Sequence, residues 1–269
     1  MDAKRKKIGL ALGGGGARGF AHIGILKVLE EADITVDMIA GTSMGAIVGA
    51  FYCSGMKPRL IERLSSFIQR NHWMDLTFPR LGLVSGDKLE QFMMVLTKSA
   101  NFSDLKKPLA VVATNLCNGD RVVIKEGQVA RAVRASAAIP GVFCPVEYEG
   151  MTLVDGVVVE RVPVLAAREL GADIVIAVDL GIYLDTKFNH IFDVVLQCMD
   201  IMSRDLSRMI TDKADLVLNP QLQHVSPGQF HKSEEAIKAG EDAARCMLPQ
   251  IKELLNYKEN CGEDSATNP

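Results

Sequence analysis

Two short apolar segments, each followed by a glycine-containing turn and a helix-like stretch, constrain the fold more than any other feature of this sequence. The segment Ile8–Leu12 ends at a glycine run, and residues 20–32 carry apolar side chains at helical spacing. Residues 37–40 form a second apolar segment, followed at residues 44–54 by a stretch of small and apolar side chains. A strand, a crossover helix and a second strand within about 30 residues form the βαβ unit of a parallel sheet. The N-terminal part therefore predicts a parallel sheet covered by helices.

The rest of the chain continues this alternation. Further strands are predicted at residues 109–114, 121–124, 152–154, 173–178 and 215–218. Further helices are predicted at residues 58–70, 87–98, 129–138, 163–170, 189–210 and 233–255. We therefore expect one α/β domain over residues 8–256, a three-layer α/β/α sandwich with a mostly parallel central sheet. A basic tail at residues 1–7 and a polar, disordered tail at residues 257–269 would flank it.

Composition and charge exclude several classes of function. The 30 Lys and Arg residues are balanced by 33 Asp and Glu residues, so the chain lacks the basic excess of a nucleic-acid-binding protein. Six cysteines occur without a CxxC pair, which favours reduced thiols over a disulfide scaffold or a zinc site. The apolar segment behind the basic N-terminus is too short for a signal peptide, and no run of about 18 apolar residues indicates a spanning helix. We expect a cytoplasmic protein.

A GxSxG pentapeptide, Gly41-Thr42-Ser43-Met44-Gly45, lies between a predicted strand and a predicted helix. This pattern places a serine on a tight turn above the sheet edge, where side chains on the flanking glycines would collide with neighbouring backbone. The N–H groups and dipole of the helix N-terminus also favour negative charge beside the serine. The alternative is an N-capping serine in a turn whose glycines serve packing alone. The pentapeptide leaves both interpretations open, and its context supports Ser43 as a nucleophile.

A glycine-rich run at residues 13–19, GGGGARG, offers several backbone N–H groups to an anion. The anion would be either the pyrophosphate of a dinucleotide or the oxyanion of an acyl-transfer transition state. A dinucleotide site needs an acidic residue about 20 positions further on, near the end of the second strand. That strand ends in the GxSxG turn instead, and Asp37 lies at its beginning. A dinucleotide-binding oxidoreductase is therefore the weaker interpretation.

A serine nucleophile needs a general base, which is either a histidine or a carboxylate. None of the five histidines lies in a turn that marks it as a base; they are His22, His72, His190, His224 and His231. Asp155 directly follows a predicted strand and precedes Gly156, between two apolar runs. Asp-Gly in that setting is also a hairpin signal, so a structural turn is the alternative. As a base, Asp155 would need a water-poor position, because the pKa of a solvated aspartate is about 3.9.

Together, these motifs resemble those of the patatin-like phospholipase family. The order is that of the family: a loop with Gly-Gly-Gly-Ala-Arg-Gly, then Gly-Thr-Ser-Met-Gly, then Asp155-Gly156. The stretch RASAAIPGVF at residues 134–143 and the segment Val162-Pro163-Val164 also resemble this family. The resemblance extends over nearly all of residues 8–255, with the core motifs within residues 8–165. It is closest to the compact single-domain bacterial members.

The resemblance implies a hydrolase of lipid acyl esters, of phospholipase A, lysophospholipase or carboxylesterase type. Ser43 would be the nucleophile, Asp155 the base that orients and deprotonates it, and an acyl-enzyme the intermediate. The other implied site residues are the oxyanion-hole glycines Gly14, Gly15 and Gly16, the loop supports Arg18 and Gly19, and the glycines of the nucleophile turn, Gly41 and Gly45. The sequence offers no metal-ligand cluster, so we expect neither a metal nor a cofactor.

Two positions depart from the family pattern. Val157 replaces the small residue that usually follows the Asp-Gly pair. Glu160 or Arg161 stands where the family often has an asparagine. Neither change removes an atom of the dyad, but both alter the surroundings of the pocket. A non-catalytic lipid-binding or regulatory protein of the same fold is therefore the alternative.

A lipid substrate also implies transient contact with a membrane surface. One candidate surface is a group of apolar side chains, Trp73, Met74, Leu76, Phe78, Leu81 and Leu83. A second is the basic start Lys4-Arg5-Lys6-Lys7, which would be attracted to anionic lipid. Packing under a loop and a solvated tail are the respective alternatives.

Overall fold

Strands and helices alternate along the chain much as the apolar pattern predicts. The computed structural model describes residues 5–65, 75, 81–184 and 191–260. The strands are β1 (Ile8–Leu12), β2 (Met38–Thr42), β3 (Gly82–Val84), β4 (Leu109–Asn115), β5 (Arg121–Ile124), β6 (Gly141–Phe143), β7 (Val146–Tyr148), β8 (Met151–Asp155), β9 (Ile174–Val178) and β10 (Leu216–Leu218). The helices are α1 (Ala21–Glu31), α2 (Met44–Cys53), α3 (Pro58–Ser65), α4 (Asp87–Leu96), α5 (Val129–Ser136), α6 (Val164–Glu169), α7 (Ile191–Thr211) and α8 (Ser233–Asn260).

The differences from the predicted elements are local. The pattern missed the three-residue strands β3, β6 and β7, whereas the equally short β10 lies within the strand predicted at residues 215–218. The stretch Gly16–Phe20 forms a 3₁₀ turn, so α1 begins one residue later than predicted. The helix α8 continues past the predicted end to Asn260. Residues 66–70 of one predicted helix and residues 189–190 of another lie outside the described residues.

The predicted fold class is confirmed. The strand order of the main sheet is β10-β9-β1-β2-β4-β8-β7, with β5 paired to β4. Strands β10, β9, β1, β2 and β4 are mutually parallel, and β5, β8 and β7 add antiparallel pairs at one side. The strands β3 and β6 form a separate parallel pair. Helices cover both faces of the main sheet, which gives the three-layer α/β/α sandwich.

The two faces of the sheet carry side chains of different size. In β1, Leu10 and Leu12 face a large core formed with α1, α2, α4, α5 and α8, while Ala11 faces the opposite side. On that opposite face, Ala40 and Ala177 join Ala11, and helices α6 and α7 pack against them. These small side chains let α6 and the residues after it approach the sheet closely. Gly9 of β1 has no room for a side chain, because a Cβ there would lie 2.6 Å from the Cβ of Ala172. Period-2 alternation within each strand thus builds both layers.

The strands β2 and β8 meet end to end along β4. The parallel strand β2 pairs with β4 up to Thr42 opposite Val112, and the antiparallel strand β8 ends with Asp155 opposite Ala113. Both pairings use the same edge of β4, because β5 occupies the other edge at residues 111–114. The strands β2 and β8 run in opposite directions, and the last residue of each therefore lies opposite one of two neighbouring residues of β4. This register brings the turn after β2 next to Asp155.

Helices α1 and α8 cross at a pair of glycines. A Cβ on Gly240 of α8 would overlap the carbonyl oxygen of Ala21, and a Cβ on Gly24 of α1 would overlap that of Ile237. Backbone atoms cannot rotate away as a side chain can. The close crossing of the two helices is thus built on the absence of side chains at these positions.

We predict that Gly240→Ala destabilises the protein by about 1–3 kcal/mol, although alanine is the better helix former by about 1 kcal/mol. The added methyl group has to separate α1 from α8. Gly49→Ala on α2 is the control, because its Cβ would meet only side chains, Ile39 Cγ2 at 2.9 Å and Leu109 Cδ1 at 3.3 Å. Urea unfolding of both variants measures the difference. Equal stability of the two variants would show that the helix crossing is not tight.

Candidate active site

The GxSxG turn has the strained geometry that its glycines predict. Ser43 connects β2 to α2 with φ 54° and ψ −120°, a conformation that L-residues rarely adopt. A Cβ on Gly45 would overlap the carbonyl oxygen of Leu12, and a Cβ on Gly41 would lie 2.6 Å from the backbone nitrogen of Ala46. The Ser43 hydroxyl caps no N–H group of α2 among the described residues, so the N-capping interpretation is wrong. The turn holds the serine against the end of β1.

Ser136 fixes the backbone of the nucleophile turn. Its hydroxyl accepts a hydrogen bond from the N–H of Ser43 at 2.9 Å and donates one to the carbonyl of Val112 at 2.6 Å. The residue Arg134, on the same helix, donates to the carbonyls of Ser85 and Cys144. Neither role was predicted from the sequence, although both residues lie in the RASAAIPGVF stretch that resembles the family.

Asp155 lies next to Ser43 and is almost completely buried, with 2% of its surface exposed. Its backbone N–H donates to the carbonyl of Ala138 at 3.0 Å, and its carbonyl accepts from the Thr114 hydroxyl at 2.9 Å. Its carboxylate oxygen Oδ1 accepts from the N–H of Val157 at 2.9 Å. The other oxygen, Oδ2, is buried and has no partner of ordinary hydrogen-bond geometry within the described structure. One carboxylate oxygen is therefore anchored, and the other is open to a proton.

Burial raises the pKa of Asp155 to about 6, because the charged carboxylate is removed from water. The N–H of Val157, the nearby Ser43 hydroxyl and the positive charge of Arg161 lower the pKa in part. The Ser43 hydroxyl is thus close enough to stabilise the carboxylate, without a hydrogen bond of regular geometry to Oδ2. Catalytic hydrogen bonds are often looser than this ideal until substrate is bound.

The hairpin interpretation of Asp155-Gly156 is wrong. The strand β8 ends at Asp155 and continues into a 3₁₀ turn, Gly156–Val158, instead of returning as a paired strand. A Cβ on Gly156 would overlap the carbonyl oxygen of Val112. This glycine lets the chain pass close to β4 directly after the carboxylate.

The glycine-rich loop lies beside Ser43, but its N–H groups differ in their partners. The N–H of Gly14 donates to the carbonyl of Arg161 at 3.0 Å, so the expectation that it contributes to an oxyanion hole does not fit this structure. Gly14 instead provides space, because a Cβ there would overlap Val157 and lie 3.2 Å from the Cβ of Ser43. The N–H groups of Gly15 and Gly16 have no acceptor among the described residues, and both glycines line the cavity with Ser43.

Arg18 and Gly19 hold the loop in place. The buried guanidinium of Arg18 donates to the carbonyls of Leu180 and Gly181, which follow β9. Gly19 packs directly on Met44, the residue after Ser43, where a Cβ would overlap the Met44 side chain. The loop is thereby tied to the sheet on one side and to the start of α2 on the other.

His22 supports the loop from behind. It is fully buried, and its Nε2 donates to the carbonyl of Gly13 at 2.7 Å. Burial lowers its pKa to about 4, so the imidazole is neutral at pH 7. His224 and His231 are exposed on the surface, and His72 and His190 lie outside the described residues. None of the described histidines lines the cavity that contains Ser43.

The residues that depart from the family pattern have structural roles around Ser43 and Asp155. Val157 lines the cavity and donates its N–H to Oδ1 of Asp155. Glu160 is buried, pairs with Arg121 at 2.8 Å, and accepts from the N–H of Leu165 at 3.0 Å. Arg161 is 5% exposed, forms an ion pair with Asp200 of α7, and holds Gly14 through its carbonyl. In the sequence Arg161 stands out only as a departure from the family pattern, whereas in the structure its charge is close enough to lower the pKa of Asp155.

Ser43 and Asp155 open into a cavity of about 280 Å³ with a largely apolar lining. Its lining side chains come from α2, α4, the segment around β6, and α7; they include Met44, Ile47, Leu89, Val142, Phe143, Leu196 and Met199. Across the described ranges, no three His, Cys, Asp or Glu side chains converge as metal ligands.

The surfaces predicted to contact a membrane are only partly described. Trp73, Met74, Leu76, Phe78 and Lys4 lie outside the described residues. Leu81 is 72% exposed and Leu83 is half-buried. Arg5 of the basic start pairs with Asp37. In the part of the chain that the structure describes, no helix is long and apolar enough to span a membrane.

Comparisons with known sequences point to one family. A family model for patatin-like phospholipase matches residues 10–168. An uncharacterised NTE family protein of Mycobacterium tuberculosis is 35% identical over 177 residues, which are 65% of this chain and 49% of that protein. Lysophospholipase NTE1 of Coccidioides immitis is 35% identical over 187 residues, covering 65% of this chain and 12% of that protein. The chain thus spans about half the length of the mycobacterial relative and a small part of the fungal one.

Two solved structures share the fold. VipD from Legionella pneumophila superposes with a TM-score of 0.63 at 16% identity, over 94% of this chain and 67% of VipD. The type III effector protein ExoU gives a TM-score of 0.53 at 16% identity, over 94% of this chain and 53% of ExoU. With the family model covering more than half of the sequence, and with its motifs gathered around one cavity, this chain belongs to the patatin-like phospholipase family.

Proposed function

We propose that this chain is a serine hydrolase of lipid acyl esters, with Ser43 as the nucleophile and Asp155 as its base. One observation carries the proposal: a buried carboxylate with one unpartnered oxygen lies beside a serine held in a strained turn. A structural aspartate at this depth would be expected to have both oxygens hydrogen-bonded. An oxygen left open next to a hydroxyl is the arrangement that proton transfer needs.

Acylation would begin with proton transfer from the Ser43 hydroxyl to Oδ2 of Asp155 as the serine oxygen attacks the ester carbonyl carbon. The N–H groups of Gly15 and Gly16, which line the cavity with Ser43, and the N-terminus of α2 would stabilise the developing oxyanion. When the tetrahedral intermediate collapses, the alcohol leaves with the proton from Asp155. An acyl group remains on Ser43.

Deacylation would reverse these roles with water. Asp155, again ionised, accepts a proton from water as the water oxygen attacks the acyl carbon. Collapse of the second tetrahedral intermediate releases the carboxylic acid and returns the proton to Ser43. The anchored oxygen Oδ1 keeps the carboxylate oriented through both half-reactions.

The cavity and the relatives favour a lipid substrate. An apolar lining of this size suits part of an acyl chain, and the polar groups converge at one end, at the dyad and the glycine loop. The fungal relative is a lysophospholipase by name, which supports a phospholipase A or lysophospholipase type of reaction. The five described cysteines are unpaired, in keeping with a proposed location in the cytoplasm at a membrane surface. The dinucleotide interpretation of the glycine loop receives no support from these comparisons.

Covalent labelling with a fluorophosphonate probe tests the dyad directly. We expect the wild type to be labelled, and Ser43→Ala and Asp155→Asn to lose labelling and to lose about 10³-fold or more in ester hydrolysis. Ser54→Ala is the control, because Ser54 lies at the far end of α2, where its hydroxyl bonds the carbonyl of Phe51. Folded wild-type protein that neither labels nor hydrolyses esters would favour a non-catalytic lipid-binding role.

The raised pKa of Asp155 predicts an acid limb in the pH profile. A general base must be ionised, so kcat/KM should rise with pH, reach half its maximum near pH 6, and stay level above. At one pH unit below the midpoint, the rate should be about tenfold below the plateau. Initial rates of hydrolysis of a soluble p-nitrophenyl ester, measured from about pH 4.5 to about pH 8, give this pH profile. A flat profile across pH 6 would exclude Asp155 as the base.

Arg161 should set the position of that acid limb. Because its positive charge lowers the pKa of Asp155, Arg161→Gln should move the midpoint to higher pH, and Arg161→Lys should move it less. The bond from Gly14 to the Arg161 carbonyl is a backbone bond that both variants retain. Arg131→Gln is the control, since this arginine pairs with Glu90 on α4. An unchanged midpoint in Arg161→Gln would show that the charge does not act on Asp155.

A further inference from the structure

The outer face of α7 presents a line of exposed apolar side chains. Ile191, Val195, Met202, Leu206 and Met209 are 73, 46, 80, 46 and 68% exposed. Their spacings of four, seven, four and three residues place all five on one side of an α-helix. We name these five residues the α7 stripe. The helix also carries exposed Val194 and Ile201, so it holds seven of the thirteen large apolar side chains that are exposed in the described structure.

The opposite face of α7 forms a wall of the candidate active site. Leu196, Met199 and Asp200 line the cavity that contains Ser43. Asp200 pairs with the buried Arg161, and Ser203 lies 3.5 Å from the same guanidinium. One helix therefore separates the solvent from the cavity, with apolar side chains on both of its faces.

We propose that the α7 stripe is the surface with which this chain docks on a lipid bilayer that exposes anionic phosphate headgroups. The proposal rests on the proposed function, because a lipid hydrolase must draw an acyl chain out of an aggregate. We infer a lipid surface as the binding partner because the apolar side chains are continuous from the stripe to the cavity.

Met199 provides this continuity. It lies four residues after Val195 and three before Met202, so it is a direct neighbour of the stripe on the helix surface. It is half-buried and lines the cavity beside Leu196. An acyl chain that leaves a bilayer under the stripe would thus meet apolar side chains on its way to Ser43. Dimerisation through the stripe would not require apolar side chains that continue from the stripe into the cavity.

The charges beside the stripe suit shallow binding at a headgroup layer. Arg208 is exposed on α7 about 100° around the helix from Met209, where its long side chain can reach lipid phosphates, and Arg204 is exposed further from the stripe. Asp205 is an exposed acid between them and the stripe, which disfavours deep insertion. A helix with one apolar face and this mixture of charges binds in the plane of the interface.

Vesicle binding tests the proposal in the full chain. Vesicles of phosphatidylcholine with phosphatidylglycerol are sedimented with the wild type and with the stripe variant Met202→Glu/Met209→Glu. The control variant is Val95→Glu/Leu116→Glu, which adds the same charge at exposed apolar positions on α4 and after β4. We expect the stripe variant to bind at least tenfold more weakly and the control to bind like wild type. Ile191→Glu is a second stripe variant. Thermal unfolding of every variant shows whether it is folded.

Hydrolysis of a soluble p-nitrophenyl ester separates this inference from the proposed function. The stripe variant should keep this activity within about twofold, since neither substituted residue lines the cavity, while it loses hydrolysis of vesicle lipid. Stripe-dependent binding by Ser43→Ala, or by a wild type without esterase activity, would support the docking surface independently of catalysis. Wild type that does not bind vesicles, or a stripe variant that binds like the control, overturns it. Wild type that is dimeric in light scattering, with a monomeric stripe variant, also overturns it, because a second copy then covers the stripe.

Discussion

The site depends on the register of β4, which receives the ends of β2 and β8 on one edge. Thr42 lies opposite Val112 and Asp155 opposite Ala113, so Ser43 and the carboxylate meet over adjacent residues of one strand. A slip of one residue would turn the side chains of β8 to the other face of the sheet. The strand β4, buried over residues 109–114 and packed on both faces, resists such a slip. The central strand therefore determines where Ser43 and Asp155 come together.

The same close packing sets the electrostatics of the dyad. Gly14, Gly45 and Gly156 let three backbone segments converge where side chains would overlap, and Asp155 is almost completely buried among them. Desolvation raises the pKa of its carboxyl to about 6, while the N–H of Val157, the Ser43 hydroxyl and the charge of Arg161 act in the opposite direction. A carboxyl with this pKa is mostly ionised at pH 7, which is the state that the proposed base requires.

Arg161 connects three parts of the site that are distant in the sequence. Its carbonyl holds the glycine-rich loop at Gly14, its charge acts on Asp155, and its guanidinium pairs with Asp200 of α7. The helix that carries the exposed apolar stripe is therefore joined by an ion pair to an arginine of the candidate site. Glu160, next to it, is held by Arg121 and by the N–H of Leu165. Val157 and Arg161, which depart from the family pattern, both line the cavity with Ser43 and Asp155.

The layer architecture could be predicted from the sequence, because strand and helix periodicities are local. Turn motifs whose glycines have steric reasons singled out Ser43 and Asp155 as candidate site residues. It could not show that the N–H of Gly14 is committed to Arg161, that Ser136 holds the nucleophile turn, or that Arg161 acts on Asp155. Nor could it distinguish a hairpin at Asp155 from a strand end. Those features depend on which residues of β4 the other strands pair with and on how deeply the carboxyl is buried. Only the tertiary structure decides both, since pairing and desolvation arise between segments far apart in the chain.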